Sequence, residues 1–337
     1  MNQLNVKEIV INARQRLGNK DYRRLVMIHT GVTVAFALVS ILLQFVLAEG
    51  IGNTGGLSGM GTRSLLETFQ TVLQGANTLL IPFWNLGFLY VALQWYRGSN
   101  PHQRELLTGF RRIGPCVGLL VNRMLMCLCI MIVTIQLCSG FFAMTPAAEK
   151  LVDLVGPLDS TEAMYTYMEQ ITEADLLAMG EVLLPMLILW GVLCLVILVP
   201  LLYRFRLAEY VILDQKGMRG FGAMIISASL LRCRCWQLFK LDLQFWWYYG
   251  LKAVCTVLCY LDVFLPMVGV ELPVGGDAAY LLTYVMYLVA LFGVEVAFRP
   301  LVDTAYAGVY EEAMAMGPVR KKKEVPAKQE QMPWDEE

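Results

Sequence analysis

The chain has 337 residues, of which 57% are hydrophobic and only 16% are charged. This composition is too apolar for a soluble core of ordinary proportions, so ordinary soluble proteins are excluded. The formal net charge of −1 hides an uneven distribution of Lys and Arg along the chain. We therefore expect an integral membrane protein, with membrane lipids among its partners and no nucleic acid.

Six apolar stretches are each long enough to cross a bilayer as a helix, which takes about 20 residues. A helix is one of only two structures that satisfy every backbone donor and acceptor in lipid. The sequence therefore predicts an all-α fold, a polytopic transmembrane helical bundle of six spans with cytoplasmic interfacial amphipathic helices. The predicted spans are residues 25–47, 72–95, 117–143, 182–203, 243–265 and 278–298.

The segments outside the spans have distinct characters. In residues 1–24, Val6, Ile9, Val10 and Ala13 recur at helical spacing, which is typical of an amphipathic helix at a membrane surface. The C-terminal tail is rich in Lys, Glu, Pro and Gln without apolar periodicity, so it is predicted to be disordered. The remaining predictions are an acidic outer loop at 144–181, a cytoplasmic helix at 217–240, a membrane-proximal helix at 299–316 and the disordered tail at 317–337.

Positive charge predicts the orientation of the bundle. Of the 27 Lys and Arg residues, 23 lie before span one, between spans two and three, between spans four and five, or after span six. Lys and Arg near span ends are retained on the cytoplasmic side, so both termini should be cytoplasmic. The loop at 144–181 carries eight acids within residues 149–181 and should face the outside. We expect a multi-pass protein of the cell membrane.

Four polar residues inside the predicted spans are candidates for function, since charge in hydrocarbon is costly and usually faces the bundle interior. They are Lys252, Glu295, Arg123 and Asn85. Helical side chains point toward the N-terminus of their own helix. In two antiparallel spans the tips of Lys252 and Glu295 should therefore meet at a similar depth. The sequence predicts an ion pair between them, with Arg299 as a competitor for Glu295 at i+4.

Few other residues suggest soluble chemistry. Residues 50–55 match the pattern G-x-G-x-x-G, but they follow a span rather than a strand, which excludes the usual dinucleotide site. Glu209, Asp214 and Ser227 are the cytoplasmic candidates for an acid, base or nucleophile. No catalytic residue, cofactor or metal site is predicted.

Four basic residues after the last membrane-proximal helix are candidates for contact with an anionic lipid surface. These are Arg320, Lys321, Lys322 and Lys323.

Several short motifs are shared with a known family. Tyr203–Ala208 leads to Asp214, and residues 238–241 enter the aromatic run 245–247, with Pro300 and Tyr310 after the last span. Ala13, Arg14, Leu17 and Gly18 near the start and Gly109-Phe110 after span two also fit. In these features the chain resembles the bacterial integral-membrane family catalogued as domain-of-unknown-function family 975. The resemblance implies six spans and a Gram-positive cytoplasmic membrane, and it implies no activity or catalytic residue.

Three functions from different classes remain. The first is a non-catalytic membrane component that binds lipid or a membrane-protein partner, favoured by the interfacial helices and the aromatic run at 245–249. The second is a small transporter or channel, favoured by Lys252, by Asn85 and by Pro82, which could open its helix. The third is an intramembrane lipid-active enzyme built on Glu209, Asp214 and Ser227. The absence of catalytic motifs and the scarcity of intramembrane polar residues favour the first.

Overall fold

The computed structural model describes residues 4–53, 60–146, 148–150, 173–232, 234–261, 264 and 277–317. Every element that it describes is helical, which confirms the all-α class. The helices are α1 (Val6–Arg16), α2 (Lys20–Asn53), α3 (Met60–Tyr96), α4 (Thr108–Arg111), α5 (Ile113–Ala143), α6 (Glu173–Arg204), α7 (Ala208–Asp214), α8 (Gly220–Leu230), α9 (Cys235–Gln244), α10 (Trp246–Cys259) and α11 (Asp277–Met316). A 3₁₀ helix, Gln103–Leu107, precedes α4.

Five of the described helices are long and apolar enough to cross a membrane, namely α2, α3, α5, α6 and α11. They coincide with five of the six predicted spans. The helix in the remaining predicted span, α10, has 14 described residues, and residues 262–263 and 265–276 lie outside the described ranges. The chain is therefore a multi-helix membrane protein, and the sixth span stays a prediction.

Two predicted segments differ from the helix bounds of the structure. The span at 278–298 and the membrane-proximal helix at 299–316 form a single continuous helix, α11. Its polar side chains pair along one face, so the helix continues past the apolar stretch without a break. The predicted helix at 217–240 is divided into α8 and α9. Leu238 and Leu241 of α9 are buried in the core, while Phe221 and Ile225 of α8 are exposed.

Several predicted segments lie outside the described residues. They include residues 151–172 of the outer loop and residues 318–337 of the tail, and with the tail the candidates Arg320, Lys321, Lys322 and Lys323. Predictions for these segments therefore stay predictions.

The long helices form two groups. In the first, α11 packs against α2, α3 and α10, and α2 also packs against α3. In the second, α5 packs against α6. In their most apolar windows only 11% of α5 and none of α6 is buried, so these two helices present apolar side chains outward, as helices in lipid do. The two groups are joined at one end of the bundle by short helices.

This joining end holds most of the buried core. Helix α7 packs between α3, α5 and α8, and it buries Tyr210, Val211, Ile212 and Leu213. Helix α1 packs on α11 and α9, with the Leu4 amide donating to Gln237 Oε1 at 3.0 Å. We call this end the charged end, because the carboxylates of α7 and of the second half of α11 form most of the described ion pairs there.

Glycines allow backbones to touch where the short helices meet the spans. A Cβ on Gly109 of α4 would lie 2.0 Å from the carbonyl oxygen of Phe83 in α3. A Cβ on Gly87 of α3 would lie 1.7 Å from the carbonyl oxygen of Leu106. Both neighbours are backbone atoms and cannot rotate away. These two glycines therefore fix the 3₁₀ helix and α4 against α3.

Substitution at this contact should be costly. We expect Gly109→Ala to lower the thermal stability of the purified protein in detergent, because overpacking typically costs about 1 to 3 kcal/mol. Gly114→Ala is the matched control, since Gly114 is exposed in α5 with no atom within 4 Å of the added Cβ. The control should melt at or above the wild-type temperature, because Ala favours helix over Gly. Equal melting temperatures for the two variants would contradict the backbone contact.

Candidate functional site

A line of paired charges runs along one face of α11. Lys252 Nζ of α10 lies 2.7 Å from Glu295 Oε1, which confirms the predicted ion pair. Arg299, one turn after Glu295, lies 3.4 Å from its other oxygen, so the predicted competitor shares the carboxylate. Arg299 Nε in turn donates to Asp303 Oδ2 at 3.1 Å. Four charges from two helices thus compensate one another between apolar surfaces.

Tyr248 and Asn85 complete this line. The Tyr248 hydroxyl donates to Glu295 Oε1 at 3.1 Å, and its ring lies 5.4 Å from the Lys252 ammonium. Asn85 Oδ1 of α3 accepts a hydrogen bond from Arg299 Nη2 at 3.0 Å. Arg299 therefore connects α3 to α11. The side-chain oxygen of Asn85 is already hydrogen-bonded within the protein.

A cavity of about 350 Å³ lies between the two groups of long helices at the charged end. We call it the arginine cavity. Its charged lining consists of Arg123, Arg206, Glu209, Arg299 and Asp303. Its other lining residues are Pro82, Asn85, Leu86, Leu89, Leu119, Leu120, Tyr210 and Tyr306. The cavity thus combines three guanidinium groups with an apolar wall from α3 and α5.

Two of the three arginines are paired with carboxylates. Arg123 Nη1 of α5 lies 2.6 Å from Glu209 Oε1 of α7, and both side chains are about a quarter exposed. Arg299 is held by Glu295 and Asp303. Carboxylates already compensate the charges of Arg123 and Arg299. These two side chains therefore act mainly as hydrogen-bond donors at fixed positions on the wall of the cavity.

Arg206 differs from the other two arginines. It lies in the turn between α6 and α7, its side chain is exposed, and it forms no ion pair with any carboxylate that the structure describes. Its guanidinium group lies 4.8 Å from the centre of the Tyr306 ring, a cation–π contact that orients it. Arg206 is therefore the cation of the cavity that can accept a further anion.

Asp242 holds three tyrosine side chains next to the arginine cavity, including the Tyr306 ring that contacts Arg206. Its carboxylate accepts hydrogen bonds from the hydroxyls of Tyr203 at 2.6 Å, Tyr249 at 3.1 Å and Tyr306. The three tyrosines come from α6, α10 and α11, and Asp242 comes from α9. One carboxylate thus joins four helices and holds the ring on which Arg206 lies.

The cavity crosses the predicted level of the membrane surface. Arg206 lies three residues beyond the predicted end of span four, whereas Asn85 lies ten residues inside the end of span two. At 1.5 Å per residue that depth is about 15 Å. On these predicted span ends, we expect the lining to extend from the level of lipid headgroups to that of acyl chains.

Two of the candidates predicted to be cytoplasmic, Asp214 and Ser227, do not line the arginine cavity. Asp214 accepts from Arg97 at 2.6 Å and from the Tyr310 hydroxyl at 2.9 Å. This carboxylate, together with that of Glu311, raises the pKa of the Arg97 guanidinium above its ordinary value. Ser227 is fully buried and donates to the carbonyl oxygen of Arg204 at 2.8 Å. The structure does not bring Glu209, Asp214 and Ser227 together.

Three residues of the site were not singled out from the sequence. In the sequence, Arg206 is one of the basic residues that predict the orientation and part of the shared motif Tyr203–Ala208, no sequence motif points to Asp303, and Asp242 has no sequence neighbour that reveals its tyrosine partners. The spacing of Glu295, Arg299 and Asp303 at successive i+4 positions could have identified the line on α11, since such residues share one face of a helix.

The comparisons with known proteins give no match. No family model matches the chain, and no curated protein and no solved structure matches it either. The resemblance to domain-of-unknown-function family 975 therefore stays a prediction. Within the described ranges, no group of three or more His, Cys, Asp or Glu side chains could hold a metal ion.

The ion pair on α11 should be energetically coupled. Removing one partner of a buried pair typically costs about 3 to 5 kcal/mol. We expect Glu295→Gln to lower the melting temperature more than Lys252→Met, because Glu295 is 9% exposed and bonds three groups, whereas Lys252 is 42% exposed. The double variant should recover part of the loss. Strictly additive losses would contradict the coupling.

The Asp242 junction offers a second stability test. Asp242→Ala would leave three tyrosine hydroxyls without their acceptor, and hydrogen bonds to charged groups contribute about 1.5 to 3 kcal/mol each. We expect this variant to melt well below Tyr249→Phe, which removes only one of the three bonds. If the two variants melt at the same temperature, Asp242 does not hold the four helices together.

Proposed function

We propose that the protein is a non-catalytic membrane component that binds an anionic membrane lipid in the arginine cavity. The observation that carries the proposal is the position of Arg206, an exposed cation without a carboxylate partner among the described residues, at the mouth of a cavity between membrane helices. Arg presents a planar fork of donors that matches phosphate oxygens. A lipid phosphate would complete the coordination of this side chain.

The apolar wall supports a lipid rather than a water-soluble anion. Leu86, Leu89 and Leu120 line the cavity beside the arginines. A soluble anion gains nothing from such a wall, whereas the glycerol and upper acyl chain of a lipid bury apolar surface there, at about 25 cal/mol per Å². The volume of about 350 Å³ suits a headgroup rather than a whole lipid.

The other two functions have less support. An enzyme would need a nucleophile near a base, but the Ser227 hydroxyl is bonded to a backbone carbonyl and Glu209 is paired with Arg123. A transporter remains the second candidate, because the charges from Lys252 to Asp303 form a continuous line from mid-span to the cavity. Flux of anionic solutes in proteoliposomes would distinguish transport from binding alone.

The proposal includes a location and further contacts. We propose that both termini face the cytoplasm of a bacterial cell membrane, as the distribution of Lys and Arg predicts. The basic residues at 320–323 would then add a contact with the same anionic leaflet, worth about 1 kcal/mol each. A membrane-protein partner is compatible with the outward apolar faces of α5 and α6.

Lipid-dependent stability tests the proposal. The protein is purified in mild detergent, stripped of lipid and titrated with phosphatidylglycerol or phosphatidylcholine while its melting temperature is followed. We expect phosphatidylglycerol to raise the melting temperature more, since a ligand at 100 times its Kd stabilises the folded state by about 2.7 kcal/mol. Equal shifts with both lipids would contradict specific binding of an anionic lipid.

A further inference from the structure

We infer that the ligand of the arginine cavity is a phosphodiester with a single negative charge, held chiefly by Arg206. The inference rests on the proposed function and names the chemical class of the lipid. It follows from the charges around the cavity. Arg123, Arg206 and Arg299 contribute three positive charges to the lining, while Glu209 and Asp303 contribute two negative charges. The lining therefore has a formal surplus of one positive charge.

The neighbouring charges do not enlarge this surplus. Glu295 contacts Arg299 but is also paired with Lys252, so these two cancel. Asp242 is not part of the lining, and its carboxylate is already bonded to three tyrosine hydroxyls. The charged side chains of the lining can thus compensate one negative charge, and the nearby carboxylate of Asp242 makes a second one still less favourable.

This balance separates two classes of membrane phospholipid. A phosphodiester such as phosphatidylglycerol carries one negative charge at pH 7. A phosphomonoester such as phosphatidic acid has a second ionisable proton, and phosphomonoesters of side chains carry about 1.5 to 2 negative charges at pH 7. The additional charge would lie close to the carboxylates of Glu209 and Asp303, and like charges repel strongly where the dielectric constant is low. The cavity should therefore favour the phosphodiester.

Arg206 is suited to hold the phosphate because it is exposed and already oriented. The Tyr306 ring lies under its guanidinium group at 4.8 Å, and that ring is fixed by the hydroxyl bond to Asp242. Less side-chain freedom is then lost when the phosphate binds, which strengthens binding without additional contacts. Arg204, two residues earlier, is also exposed but does not line the cavity.

The experiment measures binding of four probes to delipidated full-length protein in detergent, by native mass spectrometry and thermal shift. The probes are phosphatidylglycerol, phosphatidic acid, phosphatidylcholine and water-soluble glycerophosphoglycerol. We expect phosphatidylglycerol to bind most tightly. Arg206→Gln should weaken this binding about 10- to 100-fold, the loss expected for charge-assisted hydrogen bonds. Arg204→Gln should bind like the wild type, and Arg206→Lys should retain part of the affinity because it keeps the charge.

The outcomes distinguish the two proposals. Equal or tighter binding of phosphatidic acid, or an Arg206→Gln variant that melts like the wild type and binds phosphatidylglycerol normally, would overturn the phosphodiester inference alone. Binding of glycerophosphoglycerol as tight as that of the lipid would support the phosphodiester class and overturn the lipid function. If none of the four probes binds or changes the melting temperature, both the phosphodiester inference and the lipid-binding function are overturned.

Discussion

The hydrocarbon core of a bilayer supplies neither water nor counter-ions, so each charged side chain between apolar helices there needs a partner from the protein. This constraint explains most of the arrangement around α11. Glu295, Arg299 and Asp303 follow one another on one face, and α10 and α3 contribute Lys252 and Asn85 to the same line. These contacts fix the positions of the three helices relative to one another. Packing of apolar side chains in lipid is less specific, because lipid tails are as apolar as the helix surfaces.

The same constraint makes Arg206 informative. The other charged residues of the cavity lining are each in an ion pair, whereas Arg206 forms no ion pair among the described residues and lies over the Tyr306 ring. Asp242, Tyr306 and Arg206 form a chain of contacts that holds this cation at the mouth of the cavity. In the proposed function, an anionic lipid would supply the missing partner, and the apolar wall of α3 and α5 would accept the part of the lipid next to its phosphate.

Much of this fold could be predicted from local sequence. Apolar stretches identify the long helices, since length and hydropathy follow from the thickness of the bilayer. Depth along two antiparallel helices was enough to pair Lys252 with Glu295. The continuity of α11 could not be predicted in the same way, because its second half is stabilised by contacts with α1 and α3 rather than by lipid. The break between α8 and α9 likewise depends on tertiary packing.

The cavity could not be predicted from local sequence either, because it depends on tertiary packing. Its lining comes from α3, α5, α7, α11 and the turn before α7, so no single sequence window contains it. The sequence identifies Arg123 as a polar residue inside a span, but its partner Glu209 follows from how α7 packs on α5. Asp242 has one tyrosine partner 64 positions away, and sequence spacing carries no information about such a contact.

The most direct measurement is the contact between lipid phosphorus and the arginine side chain. Solid-state NMR on protein with ¹⁵N-labelled arginine side chains, in bilayers containing phosphatidylglycerol, reports dipolar coupling between ³¹P and guanidinium nitrogen only at hydrogen-bonding range. The account predicts a coupled arginine signal in the wild type that is lost in Arg206→Gln and kept in Arg204→Gln. The same coupling in all three proteins, or in none of them, would contradict a lipid phosphate held by Arg206.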